Sequence, residues 1–110
     1  MKLLPTLFAA LSLMAGAAHA QNQTSYVVLC VKTPCGQLKV TESPGRLETD
    51  YSYRNNGRGP DQKEVAEFAP DGALMAYRNE GVATYGARID ESFERGADGK
   101  VVWRSPVDRG

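Results

Sequence analysis

The stretch Asn55–Asp61 is where residue types and spacing come closest to a chemical site. It holds two Asn, two Gly, an Arg, a Pro and an Asp. Successive backbone N–H groups in glycine-rich turns can cradle an anion, and Arg58 could clamp a carboxylate. No Gly-Lys-Ser/Thr motif and no helix follow, which excludes a phosphate loop. The sequence favours a wide connection whose glycines supply positive φ. The residues of interest are Asn55, Asn56, Gly57, Arg58, Gly59 and Asp61.

Paired carboxylates are the second candidate for chemistry. Asp90 and Glu91 are followed by Glu94, and Asp61 by Glu64. Such pairs can perform general acid–base catalysis or bind calcium. In a strand, however, neighbouring residues point to opposite faces, so Asp90 and Glu91 share a site only if a bulge intervenes. The spacing also fails the calcium-loop pattern, and solvated charges are the simpler interpretation.

Aromatic residues offer a third possibility, a platform for carbohydrate or single-stranded nucleic acid. At alternating positions, aromatic side chains more often form core or cross-strand pairs. The residues concerned are Tyr51, Tyr53, Tyr77, Tyr85 and Trp103.

The two cysteines, Cys30 and Cys35, suit a structural disulfide. If residues 31–34 form a four-residue hairpin loop, the two residues face each other across antiparallel strands at a separation that a disulfide requires. Free thiols remain the alternative. Redox chemistry is disfavoured because the spacing is not Cys-x-x-Cys.

No combination of residues in the chain forms a recognisable catalytic set.

Residues 1–20 have the features of an export signal peptide. Lys2 precedes an apolar run over 3–17, and Ala18-His19-Ala20 gives the small-x-small cleavage pattern. Cleavage predicts a periplasmic or secreted protein with one β-rich domain, 21–110, and no membrane association afterwards. It also removes His19, the only histidine. The mature chain therefore cannot build a Ser-His-Asp or Cys-His arrangement.

Charge is balanced, with 13 basic and 13 acidic residues. No basic stripe follows from this composition, so nucleic acid and anionic lipid are not expected partners.

The elements that would position these residues are short strands. Alternating apolar and polar residues, separated by Gly, Pro, Asn and Asp clusters, predict an all-β fold. We expect an antiparallel meander or partly closed barrel of about seven short strands, preceded by a signal-peptide helix. Glu80-Gly81 is expected to break one arm and to leave a further short strand at 82–85. The predicted strands are 26–31, 37–41, 47–53, 63–68, 73–78, 82–85, 89–95 and 101–103.

Three motifs together resemble the start of a secreted bacterial amidohydrolase. They are Tyr-x-x-Asn-Gly-Arg-Gly-Pro-Asp at 53–61, Gly-Ala-x-x-Asp-Glu-x-Phe at 86–93 and Trp-x-Ser at 103–105, and they follow an export signal and an opening hairpin. The family is metal-dependent and similar to imidazolonepropionase-type hydrolases. The resemblance implies a β-rich front domain that packs against a missing C-terminal region, a metal-binding (β/α)₈ barrel.

The barrel's His-x-His metal motif has no counterpart in these residues. No catalytic or metal residue is therefore carried over, and this chain is expected to hold no cofactor. A divalent metal such as zinc would belong to the missing parent barrel, where metal-bound hydroxide would hydrolyse a C–N bond. Two hypotheses remain. The chain is the non-catalytic N-terminal β-domain of an exported amidohydrolase, or a stand-alone exported β-domain that binds a ligand or protein partner.

Overall fold

A single open sheet of seven antiparallel strands forms the described part of the chain. The computed structural model describes residues 21–110, and the predicted signal peptide at 1–20 lies outside them. Strand order in the sheet equals strand order in the chain. Since β1 and β7 do not pair, the all-β meander is confirmed and the barrel is not closed. The strands are β1 (Asn22–Cys30), β2 (Thr33–Ser43), β3 (Arg46–Tyr53), β4 (Asp61–Phe68), β5 (Leu74–Val82), β6 (Arg88–Arg95) and β7 (Val101–Arg104).

Asp-Gly turns close two of the hairpins as the sequence predicts. Asp71 Oδ1 accepts the backbone N–H of Ala73, and Asp98 Oδ1 accepts that of Lys100. The glycine that follows each aspartate has a positive φ, +87° and +81°. These side-chain acceptors stabilise the turn backbone locally, so the strands on either side are brought into antiparallel register.

The predicted break at Glu80-Gly81 is wrong, because β5 continues through both residues to Val82. Gly81 lies opposite Gln62 in the β4–β5 ladder. A Cβ at Gly81 would lie 1.9 Å from the carbonyl oxygen of Asp61. Glycine therefore acts here as a site of close backbone approach within a strand. Residues 83–86 form a turn, closed by the hydrogen bond from Gly86 N–H to the Ala83 carbonyl at 2.9 Å, and not a separate strand.

The first hairpin also differs from the predicted four-residue loop. Cys30 pairs with Thr33, so the connection is a two-residue turn of Val31 and Lys32. Val31 takes a positive φ of 62°, which is unusual for a β-branched residue. Cys35 is the extra residue of a β-bulge in β2. The bulge brings its sulfur to that of Cys30, and the two residues form a disulfide with a Cα–Cα distance of 5.7 Å.

The sheet has two chemically different faces. Residues that pair across neighbouring strands share a face, and one row runs Leu47, Ala66, Tyr77, Phe93, Trp103. We call this side the apolar face. Its charged residues number four: Glu42, Glu64, Glu91 and Arg95. The opposite side, the charged face, carries thirteen: Lys39, Arg46, Glu48, Asp50, Asp61, Lys63, Glu67, Arg78, Glu80, Arg88, Asp90, Glu94 and Arg104.

No second layer covers either face within residues 21–110. None of the hydrophobic side chains there is buried, and only Asn79 and Asp90 are buried among the polar ones. A half-exposed apolar face is unusual, because sheets ordinarily bury such a face against another layer. The apolar face is therefore accessible to solvent within the described residues.

Candidate binding site on the apolar face

The loop at 55–61 is a tight turn instead of a wide connection. The N–H groups of Asn55 and Arg58 each donate to the other's carbonyl, at 2.7 and 3.1 Å. Asn56 and Gly57 both have positive φ, 52° and 72°, which is the geometry of a type I′ turn. Two backbone N–H groups that an anion cradle would need are therefore already occupied. Gly59 lies beyond the turn, where its Cβ position would meet the Tyr53 carbonyl oxygen.

Arg54, which precedes the loop, stabilises it more than Arg58 does. Its guanidinium donates to the backbone carbonyls of Tyr53 and Pro60, at 2.7 and 3.2 Å, and pairs with Asp61 Oδ2 at 2.5 Å. Arg58 instead lies 5.9 Å from the ring centroid of Tyr85. Asp61 is thus committed to an ion pair, and the loop presents a cation–π contact at its tip.

The paired carboxylates do not converge. Asp90 pairs across the sheet with Glu80 and Glu91 with Asn79, so the two neighbours occupy opposite faces. Asp61 likewise lies on the charged face. Within residues 21–110, no group of three or more His, Cys, Asp or Glu side chains is placed to hold a metal ion.

Asp90 is the centre of an arginine cluster on the charged face. It is 9% exposed. Arg88 donates to its Oδ2 at 2.6 Å, Arg104 donates to both oxygens at 3.3–3.4 Å, and Arg78 lies 3.8 Å away while also pairing with Glu80. A buried carboxylate needs such partners to offset its desolvation. The cluster ties β5, β6 and β7 together and leaves Asp90 with its charge satisfied.

A polar row crosses the middle of the apolar face. Cross-strand pairing places its four residues side by side, one from each of β3 to β6: Thr49, Glu64, Asn79 and Glu91. Glu64 Oε2 accepts from the hydroxyl of Thr49 at 2.9 Å, and its Oε1 accepts from that of Tyr77 at 2.8 Å. The row is therefore a line of hydrogen-bond acceptors enclosed by apolar side chains.

The pKa of Tyr77 is affected by the carboxylates of this row. Partial burial of its phenol, the hydrogen bond to Glu64 and the negative charges of Glu64 and Glu91 together raise the pKa of Tyr77 to about 12. All these effects disfavour the phenolate. Glu64 and Glu91 thus place two carboxylates near this phenol on the apolar face.

Asn79 is the least satisfied member of the row. Its side chain is 7% exposed, and its Oδ1 is buried without a hydrogen-bond partner in the described structure. A buried acceptor left unpaired costs free energy comparable to a lost hydrogen bond. Asn79 Oδ1 thus stays unpaired beneath the surface of the row, between the neighbouring carboxylates Glu64 and Glu91.

The aromatic residues are distributed unevenly over this surface. Tyr51 and Tyr53 lie on the apolar face with ring centroids 5.9 Å apart, and Trp103 ends the row that contains Tyr77. Tyr85 stands apart in the turn after β5 and is 85% exposed. The aromatics surround the polar row and do not form one flat platform.

Sequence reasoning missed the polar row. It paired Glu64 with Asp61 and Glu91 with Asp90, both along the chain, and did not consider Asn79. The useful signal was the polar residue in the middle of each alternating strand, on the side that otherwise carries Leu and Tyr. Only the register between strands shows that these residues are neighbours.

No helix in residues 21–110 is long and apolar enough to cross a membrane. No family model, curated protein or solved structure matches the chain. The likeness to amidohydrolases therefore remains a prediction that rests on its three sequence motifs.

Proposed function

We propose that this chain is a non-catalytic, exported binding domain whose apolar face docks onto another protein. The observation that carries the proposal is the uncovered apolar face, which has no second layer within residues 21–110. Burying apolar surface is the main favourable term in protein association. Other sheets bury their apolar face against helices or a second sheet of the same chain. This face would be buried by a partner protein instead.

The size of the face suits a specific interface. Six spacings between seven strands, with strands of about eight residues, give a footprint of roughly 30 by 27 Å, or about 800 Å². A standard protein–protein interface buries about 800 Å² per partner. A small molecule would cover only a fraction of this surface, so a protein surface is the better match.

The polar row supports a basic group in the partner surface. The row offers two carboxylates, and neither Glu64 nor Glu91 has a basic side chain within 4.0 Å among the described residues. Glu64 already accepts from Thr49 and Tyr77, but an apolar partner surface would still bury both carboxylates without a cation, which is unfavourable. An arginine supplies five N–H donors in a planar fork that can reach several acceptors at once. We therefore assign the site to an arginine surrounded by apolar side chains.

Charge argues against a second copy of the chain as the occupant of this face. Two apolar faces packed together would bring Glu64 and Glu91 of each copy into the same interface. Like charges buried together cost several kcal/mol. A cationic partner avoids that repulsion and replaces it with attraction.

Photo-cross-linking in cells of the source organism tests the docking. A photoreactive phenylalanine replaces Tyr51 on the apolar face, and Ser52, its neighbour on the charged face, gives the matched control. We expect position 51 to cross-link to another protein at a segment with an arginine among apolar residues. Equal yields from positions 51 and 52, or cross-linking to a second copy, would refute the assignment.

Binding of arginine by the polar row is tested separately, with a small arginine analogue. N-acetylarginine amide is titrated into the purified protein and followed by backbone amide NMR shifts, with N-acetylcitrulline amide as the neutral analogue. We expect the arginine compound to shift the amides of Glu64, Asn79 and Glu91. The double variant Glu64→Gln/Glu91→Gln should weaken this about tenfold, because two charge-assisted hydrogen bonds are lost. Glu94→Gln, on the charged face, should leave it unchanged. Equal shifts from citrulline would contradict the proposal.

The amidohydrolase front domain is the second candidate function. The observation that favours it is the same uncovered face, which in a longer protein would pack against the barrel. The reading frame beyond codon 110 distinguishes the two. Continuation into a His-x-His barrel would support the hydrolase, and its absence would leave the separate binding domain.

A further inference from the structure

β1, which forms one edge of the sheet, is the only one of the seven strands without a charged residue. β1 is nine residues long and contains no charged residue and no proline. Each of the other six strands contains at least one charged residue. Natural sheets ordinarily protect an edge with charge, proline or a bulge that points outward. β1 carries none of these, and its only bulge is on the β2 side.

The backbone of this edge is unpaired in the described structure. β1 pairs with β2 along its whole length, and among residues 21–110 no other segment pairs with it. Alternate N–H and C=O groups therefore point away from the sheet. Tyr26, Val27 and Leu29 are more than half exposed. An added strand would satisfy the backbone groups and bury apolar side chains on both faces.

The opposite edge is protected. Trp103 and Gly110 exchange both backbone hydrogen bonds, at 2.7 and 3.0 Å, and Arg104 forms a bridge with Arg109. The C-terminal residues thus cover the second half of β7, and β7 itself carries a charge. The sheet has one closed edge and one open edge, so pairing through the open edge would stop at two copies.

We propose that β1 pairs antiparallel with β1 of a second copy, so that two seven-stranded sheets form one continuous sheet. A neutral strand meets its own copy without opposing like charges, which would be destabilising in a directly paired position. A two-fold pairing centred on Tyr26 places residues 26–29 of each copy beside residues 23–26 of the other. Paired residues share a face, so the two apolar faces lie on the same side and both stay open to a partner.

Analytical ultracentrifugation over a wide range of protein concentrations tests the dimer by measuring its molecular mass. We expect the purified protein to dimerise, and Val27→Lys to weaken dimerisation about tenfold or more, since it puts a charge on the pairing edge. Val102→Lys is the matched control. Val102 has a similar exposure, 64% against 67%, and lies on the same face at the protected edge, so this variant should still dimerise.

Amide hydrogen exchange gives a second readout that identifies the pairing strand. A strand paired on one side protects alternate amides, and a strand paired on both sides protects all of them. We expect continuous protection over residues 23–29 in the wild-type protein and alternate protection there in a folded Val27→Lys variant. Thr24→Lys replaces that variant if circular dichroism shows that Val27→Lys is unfolded. A monomeric wild-type protein, or a dimer that keeps alternate protection in β1, would overturn the proposal.

Discussion

At Tyr77 a single hydroxyl connects the sheet to the acceptors of the polar row. The neutral phenol donates to Glu64, and its pKa is raised from 10.0 to about 12. In the unfolded chain this group would titrate near its ordinary value. Because the folded pKa is the higher one, the contribution of Tyr77 to stability is fully present below about pH 10 and is lost as the pH rises through about 12.

The variant Tyr77→Phe isolates this effect. We expect the difference in unfolding free energy between wild type and Tyr77→Phe to be constant at neutral pH and to fall between about pH 10 and 12. Denaturant titrations at a series of pH values measure it. Tyr85→Phe removes an exposed phenol that has no hydrogen bond to Glu64, and it serves as the matched control. A difference that does not change with pH for Tyr77→Phe would mean that the phenol is not coupled to Glu64.

Residue types predicted some local features and not others. Asn56-Gly57 sits in a type I′ turn because Asn and Gly tolerate positive φ. The roles of Arg54 and Arg58 could not be separated, since either side chain can reach across a loop. Asn79 could be noticed locally as a polar residue in the middle of an alternating strand. Its place beside Glu64 and Glu91 could not be predicted, because they lie 15 and 12 positions away in the chain. Such neighbours are set by register, which a period of two leaves undetermined.

At the level of strands, close backbone approach explains the continuity of β5. Glycine signals a break in most sequence patterns, yet Gly81 continues the ladder with a φ of 142°. A side chain there would meet the Asp61 carbonyl oxygen. The alternating pattern predicted most strands correctly. It failed at Gly81, because glycine can either end a strand or allow close backbone approach inside one.

Alanine substitution separates steric conflict from backbone strain. Gly81→Ala should destabilise the fold by at least about 2 kcal/mol more than Gly72→Ala, because it combines a backbone clash with an unfavourable φ. Gly72 also has a positive φ, 87° against 142° at Gly81, with nothing within 4 Å of its Cβ position. Its substitution should cost about 1 kcal/mol for strain alone. Thermal and urea unfolding measure both variants. Equal costs would show that β4 and β5 can separate at Gly81 without loss.

On the scale of the molecule, a sheet without a second layer has little apolar area to expose on unfolding. We expect a heat-capacity change of unfolding clearly below the usual value of about 12–15 cal/mol/K per residue. Differential scanning calorimetry at a series of pH values measures it. An ordinary value would indicate that the apolar face is covered in solution. Alternation along the chain predicted an antiparallel meander or a partly closed barrel, and it could not decide between the two because closure depends on strand tilt and stagger.

The identity of strand order and chain order has a consequence for how the molecule is made. Every strand pairs only with its sequence neighbours, so the contact order is low and no distant segment must arrive before a hairpin closes. Isolated hairpins form in about 1–10 μs, far faster than a ribosome adds residues at about 5–20 per second. β1 and β2 can therefore pair before β3 joins them. Their disulfide forms later, because it needs an oxidising compartment and takes seconds to hours. The sheet then grows by one strand at a time from its N-terminal edge, as each new segment emerges.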